Sequence, residues 1–214
     1  MKRIIFVFLA ACVVLAVGCR WVGIRGNGHI KTEDRTISIF TEIDASGAFE
    51  IEWQGGSPAL RITTDENLLS YVESDVSGDA LHLRAHDQIW PTHGIKVFIS
   101  SPTRAAARIS GAVRLTAKQL TGPKFALDTS GASRVSLDGN IDELLADMTG
   151  ASRLQAGGLQ TKAAEISTTG AGNAEVAVAE TLKVAITGAG KVTYSGNPTI
   201  EKHITGAGSV RRKD

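Results

Sequence analysis

Cysteine is nearly absent from this chain of 214 residues: there are two, Cys12 and Cys19, both near the amino terminus. The body beyond them therefore holds no disulfide, no thiolate metal site and no thiol nucleophile. Aromatic residues make up only 5%, which suits thin, tightly stacked layers better than a bulky globular core. An excess of one charge is missing as well. The 23 basic and 22 acidic residues leave a net charge of +1, and no long run of one sign occurs. Nucleic acid is thus a poor partner for it. No Pro-rich or Ser-rich linker divides the chain, whose length fits one domain, or one domain and a short accessory part.

What is present is glycine, 23 residues of it, much of it placed periodically. Ser110-Gly111-Ala112 is followed by Ser130-Gly131-Ala132, Thr149-Gly150-Ala151, Thr169-Gly170-Ala171, Thr187-Gly188-Ala189 and Thr205-Gly206-Ala207. Successive copies start 20, 19, 20, 18 and 18 residues apart, and an outlying copy, Ser46-Gly47-Ala48, stands upstream. A period of this size marks a repeat architecture whose units bury their apolar faces only against their neighbours.

Aligning the copies on their Ser or Thr produces apolar columns. Five residues after it stand Leu115, Val135, Leu154, Ala174, Val192 and Val210; seven after it stand Ala117, Leu137, Ala156, Val176 and Tyr194. Five before it stand Phe125, Leu144, Ala164, Leu182 and Ile200; three before it stand Leu127, Ala146, Ile166, Val184 and Lys202. Spacing two on both sides means two short strands meeting at a glycine corner, with the Ser or Thr free to stack and hydrogen-bond there. A helical repeat needs apolar residues at three and four, and that pattern is absent. The columns predict an all-β fold: a single-stranded parallel β-helix, or β-solenoid, with coils of about 18–20 residues.

Upstream, alternation at spacing two predicts strands around Ile37 and Ile39, Ile43 and Ala45, Ile51 and Trp53, Leu60 and Ile62, Leu81 and Leu83, and Ile95, Val97 and Ile99. Residues 66–74 fit a short helix or a broad turn. The head is expected over residues 35–214, with the regular repeats at 110–210.

The repeated Ser/Thr-Gly-Ala segments, Ser46-Gly47-Ala48-Phe49, Thr64-Asp65-Glu66-Asn67-Leu68 and Ile95-Lys96-Val97-Phe98-Ile99 resemble one family. It is the auto-transporter adhesin family with a head GIN domain, found in bacterial envelope proteins. The likeness runs from about Thr36 to Arg211. It implies a right-handed β-helix and an adhesive role without established catalytic residues, so no catalytic set carries over. The period itself leaves the hand open.

At the amino terminus, Lys2 and Arg3 precede an apolar run from Ile4 to Val17, too short for a typical transmembrane helix and of the kind a signal peptide carries. Its end, Leu15-Ala16-Val17-Gly18-Cys19, resembles a bacterial lipobox, although Leu15 stands one place early. The expectation is a signal peptide over 1–18, lipidation at Cys19, a tether over 19–34 and a place in the bacterial cell envelope. Simple secretion is the alternative.

Four residues after each repeat Ser or Thr stand Arg114, Arg134, Arg153, Asn173, Lys191 and Ser209. This position alternates with the buried fifth, so the side chains should point outward in one line. Such a basic stripe could take phosphate or carboxylate groups of an anionic glycan; the plainer reading is a solvated face neutralised by Asp128 and Asp147. Trp90, in the loop from His86 to His93, could stack on a sugar ring, while His86, Asp87 and His93 are weak candidates for a metal. Asp128 and Asp147 hold equivalent places in successive coils, the raw material of a polysaccharide-cleaving enzyme. Their column continues as Ser167, Ala185 and His203, and no Ser-His-Asp set accompanies it. The sequence thus favours a non-catalytic binding or structural module, without cofactor or metal, over a polysaccharide lyase or hydrolase.

Overall fold

The computed structural model describes residues 23–213. The expected signal peptide and Cys19 lie outside them. In the first half the chain forms β1 (Ile24–Arg25), β2 (Ile30–Arg35), β3 (Glu42–Gly47), β4 (Phe49–Gly55), β5 (Ala59–Asp65), β6 (Val72–Ser77), β7 (Ala80–Ala85), β8 (Ile89–Trp90) and β9 (Ile95–Ser101). Every alternating pair from Ile43 to Ile99 turns inward and is buried, as the two-residue period of a strand requires. Ile37 and Ile39 are the exception. Residues 36–41 form no strand, Ile39 is exposed, and Phe40 enters the core instead, stacked on Trp53 with ring centroids 6.2 Å apart. Glu66–Tyr71 is a short 3-10 helix.

The second half forms β10 (Ala106–Gly111), β11 (Arg114–Gly131), β12 (Arg134–Gly150), β13 (Arg153–Gly170), β14 (Asn173–Gly188), β15 (Lys191–Ser195), β16 (Thr199–Gly206) and β17 (Ser209–Arg212). The long strands bend through the corners, and each pairs in parallel with the next so that like positions of the repeat coincide. Gly111 sits opposite Gly131, Gly131 opposite Gly150, and so on to Gly206. The result is a β-solenoid of about five turns. Leu115, Val135, Leu154, Ala174 and Val192 are all buried, and Phe125, Leu144, Ala164 and Leu182 stack on the facing side. Main chain closes the corners: the N–H of Ala132 donates to the Gly111 carbonyl at 2.9 Å, and Ala151, Ala171 and Ala189 make the same bond in the following coils. The tripeptide hydroxyls from Ser130 to Thr205 face solvent.

Glycine is required at these corners twice over. Gly131 has φ +94°, a region in which side chains are strained, and a Cβ there would sit 2.6 Å from the Gly111 carbonyl oxygen.

Coil order does not follow chain order throughout. β3 and β4 lie directly beneath β10 and β11, while the later β7 and β9 stack outside them, away from the repeats. The chain then crosses one layer to begin β10. Arg104 stitches this crossing. Its buried guanidinium donates to the carbonyls of Trp53, Lys118 and Gln119, and burial pushes its pKa down. Trp53, Phe40 and Phe125 fill the core at the same junction.

Beyond β7 and β9 the end is capped by antiparallel strands, β6 on β7 and β5 on β9, with β2 outermost on β5. The expected tether therefore reaches into the head: part of residues 19–34 forms β1 and β2. Apolar patterning misses β2 because it is held by main-chain pairing and polar side chains. Arg35, for example, donates to the carbonyls of Leu69 and Val72. At the opposite end no strand among the described residues pairs beyond β16 and β17. Two of the last coil's inward columns finish in Lys202 and Arg212, both exposed, where earlier coils carry apolar residues; the other two finish in Ile200 and Val210. Inward charge on an open edge discourages further strand pairing.

Candidate functional site

The outward position beside the buried Leu115 column forms a continuous ladder. Arg114 lies in register with Arg134, Arg134 with Arg153, Arg153 with Asn173, Asn173 with Lys191 and Lys191 with Ser209. All but Ser209 are exposed. The structure thus brings the stripe together as its spacing required. It also extends the ladder toward the cap, since Glu50 lies opposite Arg114 and Lys96 opposite Glu50. Glu50 was findable, because it follows Ser46 by the same four residues. Lys96 was not, because the 86–94 loop replaces the corner that would have aligned it.

Charge pairing along the ladder is uneven. Arg114 approaches Glu50 at 3.6 Å, whereas among the described residues neither Arg134 nor Arg153 makes an ion pair. Glu175, the acid beside Asn173, is taken by Lys213. Asp128 and Asp147 do not neutralise the stripe: they stand on the other flank of the corner, in register with Arg108. Like charges stacked at the strand spacing of about 4.8 Å repel, by roughly 1 kcal/mol per neighbouring pair in water.

A trough accompanies the ladder. The corner alanines Ala112, Ala132 and Ala151 leave a depression of about 210 Å³ beside Arg114, Arg134 and Arg153. A second, of about 270 Å³, continues past Arg153, Asn173 and Lys191. Toward the cap a larger one, of about 380 Å³, is lined by Arg61, Lys96 and Lys118 together with Glu50 and Glu52. The three form an open polar strip along the solenoid, suited to an extended ligand better than to a small molecule enclosed on all sides.

The other candidates are dispersed. Asp128 and Asp147 are stacked side by side along one ladder, over an open depression of about 330 Å³ floored by Ala106, Ala126 and Leu145. A glycan-cleaving pair must flank the scissile bond from two sides. His86 pairs with Glu73, and His93 Nδ1 lies 2.9 Å from the Thr92 hydroxyl. Among the described residues no three His, Cys, Asp or Glu side chains gather as metal ligands would.

Trp90 lies in β8, paired in parallel with β1 and 40% exposed. A Cβ at Gly23 would come within 2.4 Å of its ring nitrogen, so the arriving chain is packed against the indole. Beside it stands Asp65, fully buried, whose carboxylate accepts the N–H of Gly28 at 2.7 Å and the N–H and hydroxyl of Thr92 at 2.8 Å each. Burial alone would raise its pKa, but these hydrogen bonds outweigh it and hold the carboxyl below its ordinary range. Asn67 adds a two-way bridge, accepting from the Asn27 N–H and donating to the Arg25 carbonyl. In the sequence Asp65 and Asn67 stand out only within Thr64-Asp65-Glu66-Asn67-Leu68, a stretch that carries the family resemblance.

Comparison with known proteins places this geometry. The sequence model of a family described as "Putative auto-transporter adhesin, head GIN domain" matches residues 39–151 and 103–198. A solved structure of a putative adhesin from Bacteroides fragilis is 22% identical, with a TM-score of 0.73, covering 89% of this chain and 100% of that one. A putative adhesin from Parabacteroides merdae is 21% identical, with a TM-score of 0.56, covering 90% and 99%. A putative lipid binding protein from Parabacteroides distasonis is 20% identical, with a TM-score of 0.58, covering 89% and 99%. At these identities the likeness is one of fold. No curated protein matches the chain.

Proposed function

The chain belongs to the family of putative auto-transporter adhesins with a head GIN domain, and from that premise we propose that it is a non-catalytic envelope module that binds anionic glycans along the Arg114, Arg134, Arg153 and Lys191 ladder. Adhesin-like membership supports a place at the cell surface or in the envelope. The lipobox-like Leu15-Ala16-Val17-Gly18-Cys19 supports export and a lipid anchor.

One observation carries the reading: three arginines stand in register on consecutive coils, and two of them lack an ion pair among the described residues. Each guanidinium alone is an exposed contact of small value. Repeated at one spacing along an open strip, they suit a polymer that repeats its own carboxylates or sulfates. Affinity then comes from several contacts engaged together. Trp90 stands in the loop near the cap and is not needed for this reading.

The test replaces Arg114, Arg134 and Arg153 by Ser and measures binding to acidic polysaccharides at low and high salt. The expected outcome is an unchanged fold with most of the salt-sensitive binding lost. Equal binding by the triple variant and the parent at both salts refutes the site. Shortening of the polysaccharide, with new ends released, would instead support the enzyme alternative.

A further inference from the structure

We infer that the capped end of the solenoid is its membrane-facing end, held against the lipid surface so that the coils project outward and carry the arginine ladder away from it. This rests on the lipid-anchor reading of Cys19.

The argument begins where the chain enters the head. From Gly23 onward it is fastened to the cap. β1 pairs with β8, Gly23 lies against the Trp90 indole, Asn67 bridges Asn27 and Arg25, and the buried Asp65 carboxylate takes the Gly28 N–H. What remains between an acylated Cys19 and this fastening is Arg20, Trp21 and Val22. Fully extended, the step from Cys19 to Gly23 spans no more than about 14 Å. A free tether of fifteen or more residues would leave either end of the head able to approach the membrane; one this short keeps the capped end within about 14 Å of the anchor.

The surface at that end matches. Four large apolar residues are exposed among those described; Ile30 and Trp90 lie on cap strands β2 and β8, Ile39 lies between β2 and β3, and Ile200 stands at the far end. An indole with a polar edge and an apolar body suits the interface between headgroups and acyl chains. On the face carrying the ladder ten strands stack, from β2 through β5, β9, β4 and β11 to β15 and β17. At about 4.8 Å per strand, Arg114 stands roughly 19 Å beyond β2 and Lys191 roughly 38 Å.

The absence of cysteine from the described body permits a clean test on the full, acylated chain. Arg84, Ser130 and Thr205 lie on one column of the solenoid, at its capped end, its middle and its last coil. Arg84→Cys, Ser130→Cys and Thr205→Cys each supply a single thiol for a donor dye. Each protein is reconstituted in vesicles of phosphatidylethanolamine and phosphatidylglycerol doped with a headgroup-labelled acceptor, and floated. Energy transfer should fall in the order 84, 130, 205. In an Asn67→Ala background the fastening is loosened, and the gradient should shrink while flotation persists. Equal transfer from all three sites means a solenoid lying flat; rising transfer toward 205 means the open end faces the membrane. Either overturns the orientation with the anchor intact. A chain that does not float removes the anchor itself, and the inference with it.

Discussion

Replacing Gly150 by alanine isolates what the corner glycines contribute. Gly150 has φ +96°, and an added Cβ would lie 2.5 Å from the Gly131 carbonyl oxygen. Two costs follow. Holding alanine in that backbone region costs about 1–3 kcal/mol. The overlap also displaces the carbonyl that accepts the Ala151 N–H at 2.8 Å, a bond worth about 0.5–1.5 kcal/mol net. Together about 2–4 kcal/mol is lost from a fold whose whole stability is of order 5–15 kcal/mol. Gly122 separates the two costs. Its φ is +135°, but nothing lies within 4 Å of its added Cβ, so Gly122→Ala carries only the conformational part. Urea unfolding followed by the β-sheet circular dichroism signal gives the midpoints, with the exposed Thr149→Ala as a reference expected to move by less than about 0.5 kcal/mol. A Gly150→Ala protein no less stable than Gly122→Ala would refute the stacking contact. Both at parental stability would refute the corner argument altogether.

Among the described residues the buried hydroxyl of Thr168 has no partner, whereas Thr161 donates its own to the Ala177 carbonyl at 2.9 Å. Thr168→Val should therefore be neutral or stabilising, and Thr161→Val should cost about 1 kcal/mol in the same unfolding assay; the opposite order would contradict the buried-hydroxyl assignment. Asp65 should make stability pH-dependent in a defined direction. A carboxyl with a depressed folded pKa contributes stability above its unfolded value, near 3.9, and loses it as pH falls through the folded value. Unfolding midpoints between about pH 5 and 2 should fall more steeply on acidification for the parent than for Asp65→Asn, which should already be weaker near neutrality. Lys202→Ile would complete the apolar column at the open end and should promote end-to-end association, seen as concentration-dependent growth in size-exclusion chromatography. An unchanged monomer would show that this lysine does not guard the edge.

The arginine ladder was legible before any coordinates because it depends only on repeat register and strand alternation. Arg114, Arg134 and Arg153 share one offset from their glycines, and that offset neighbours a buried one. Its pairing state was not legible. Glu50 shares the ladder's offset from Ser46 and meets Arg114, but the upstream copy is separated from the repeats by two strands, β7 and β9, that stack outside it. Lys213 reaches Glu175 across 38 residues, a contact that no spacing announces. The expected neutralisation by Asp128 and Asp147 failed for the same reason. Those carboxylates lie only six residues before Arg134 and Arg153, yet on the other side of a corner that turns the two faces apart.

The sequence by itself determined the solenoid, its corners and its apolar columns, from Leu115 to Val192 and from Phe125 to Leu182. Each follows from a local rule repeated at a fixed period: glycine where φ must be positive, and apolar residues at every second position, facing inward. The tertiary structure alone decided the rest. It stacked β7 and β9 outside β3 and β4, threaded the crossing past the buried Arg104, and drew β1 and β2 onto the cap through Asp65 and Asn67. These arrangements are made by main-chain bonds and by single polar side chains acting over long separations. Such bonds satisfy donors and acceptors that every residue carries, so they leave no periodic trace in the order of the amino acids.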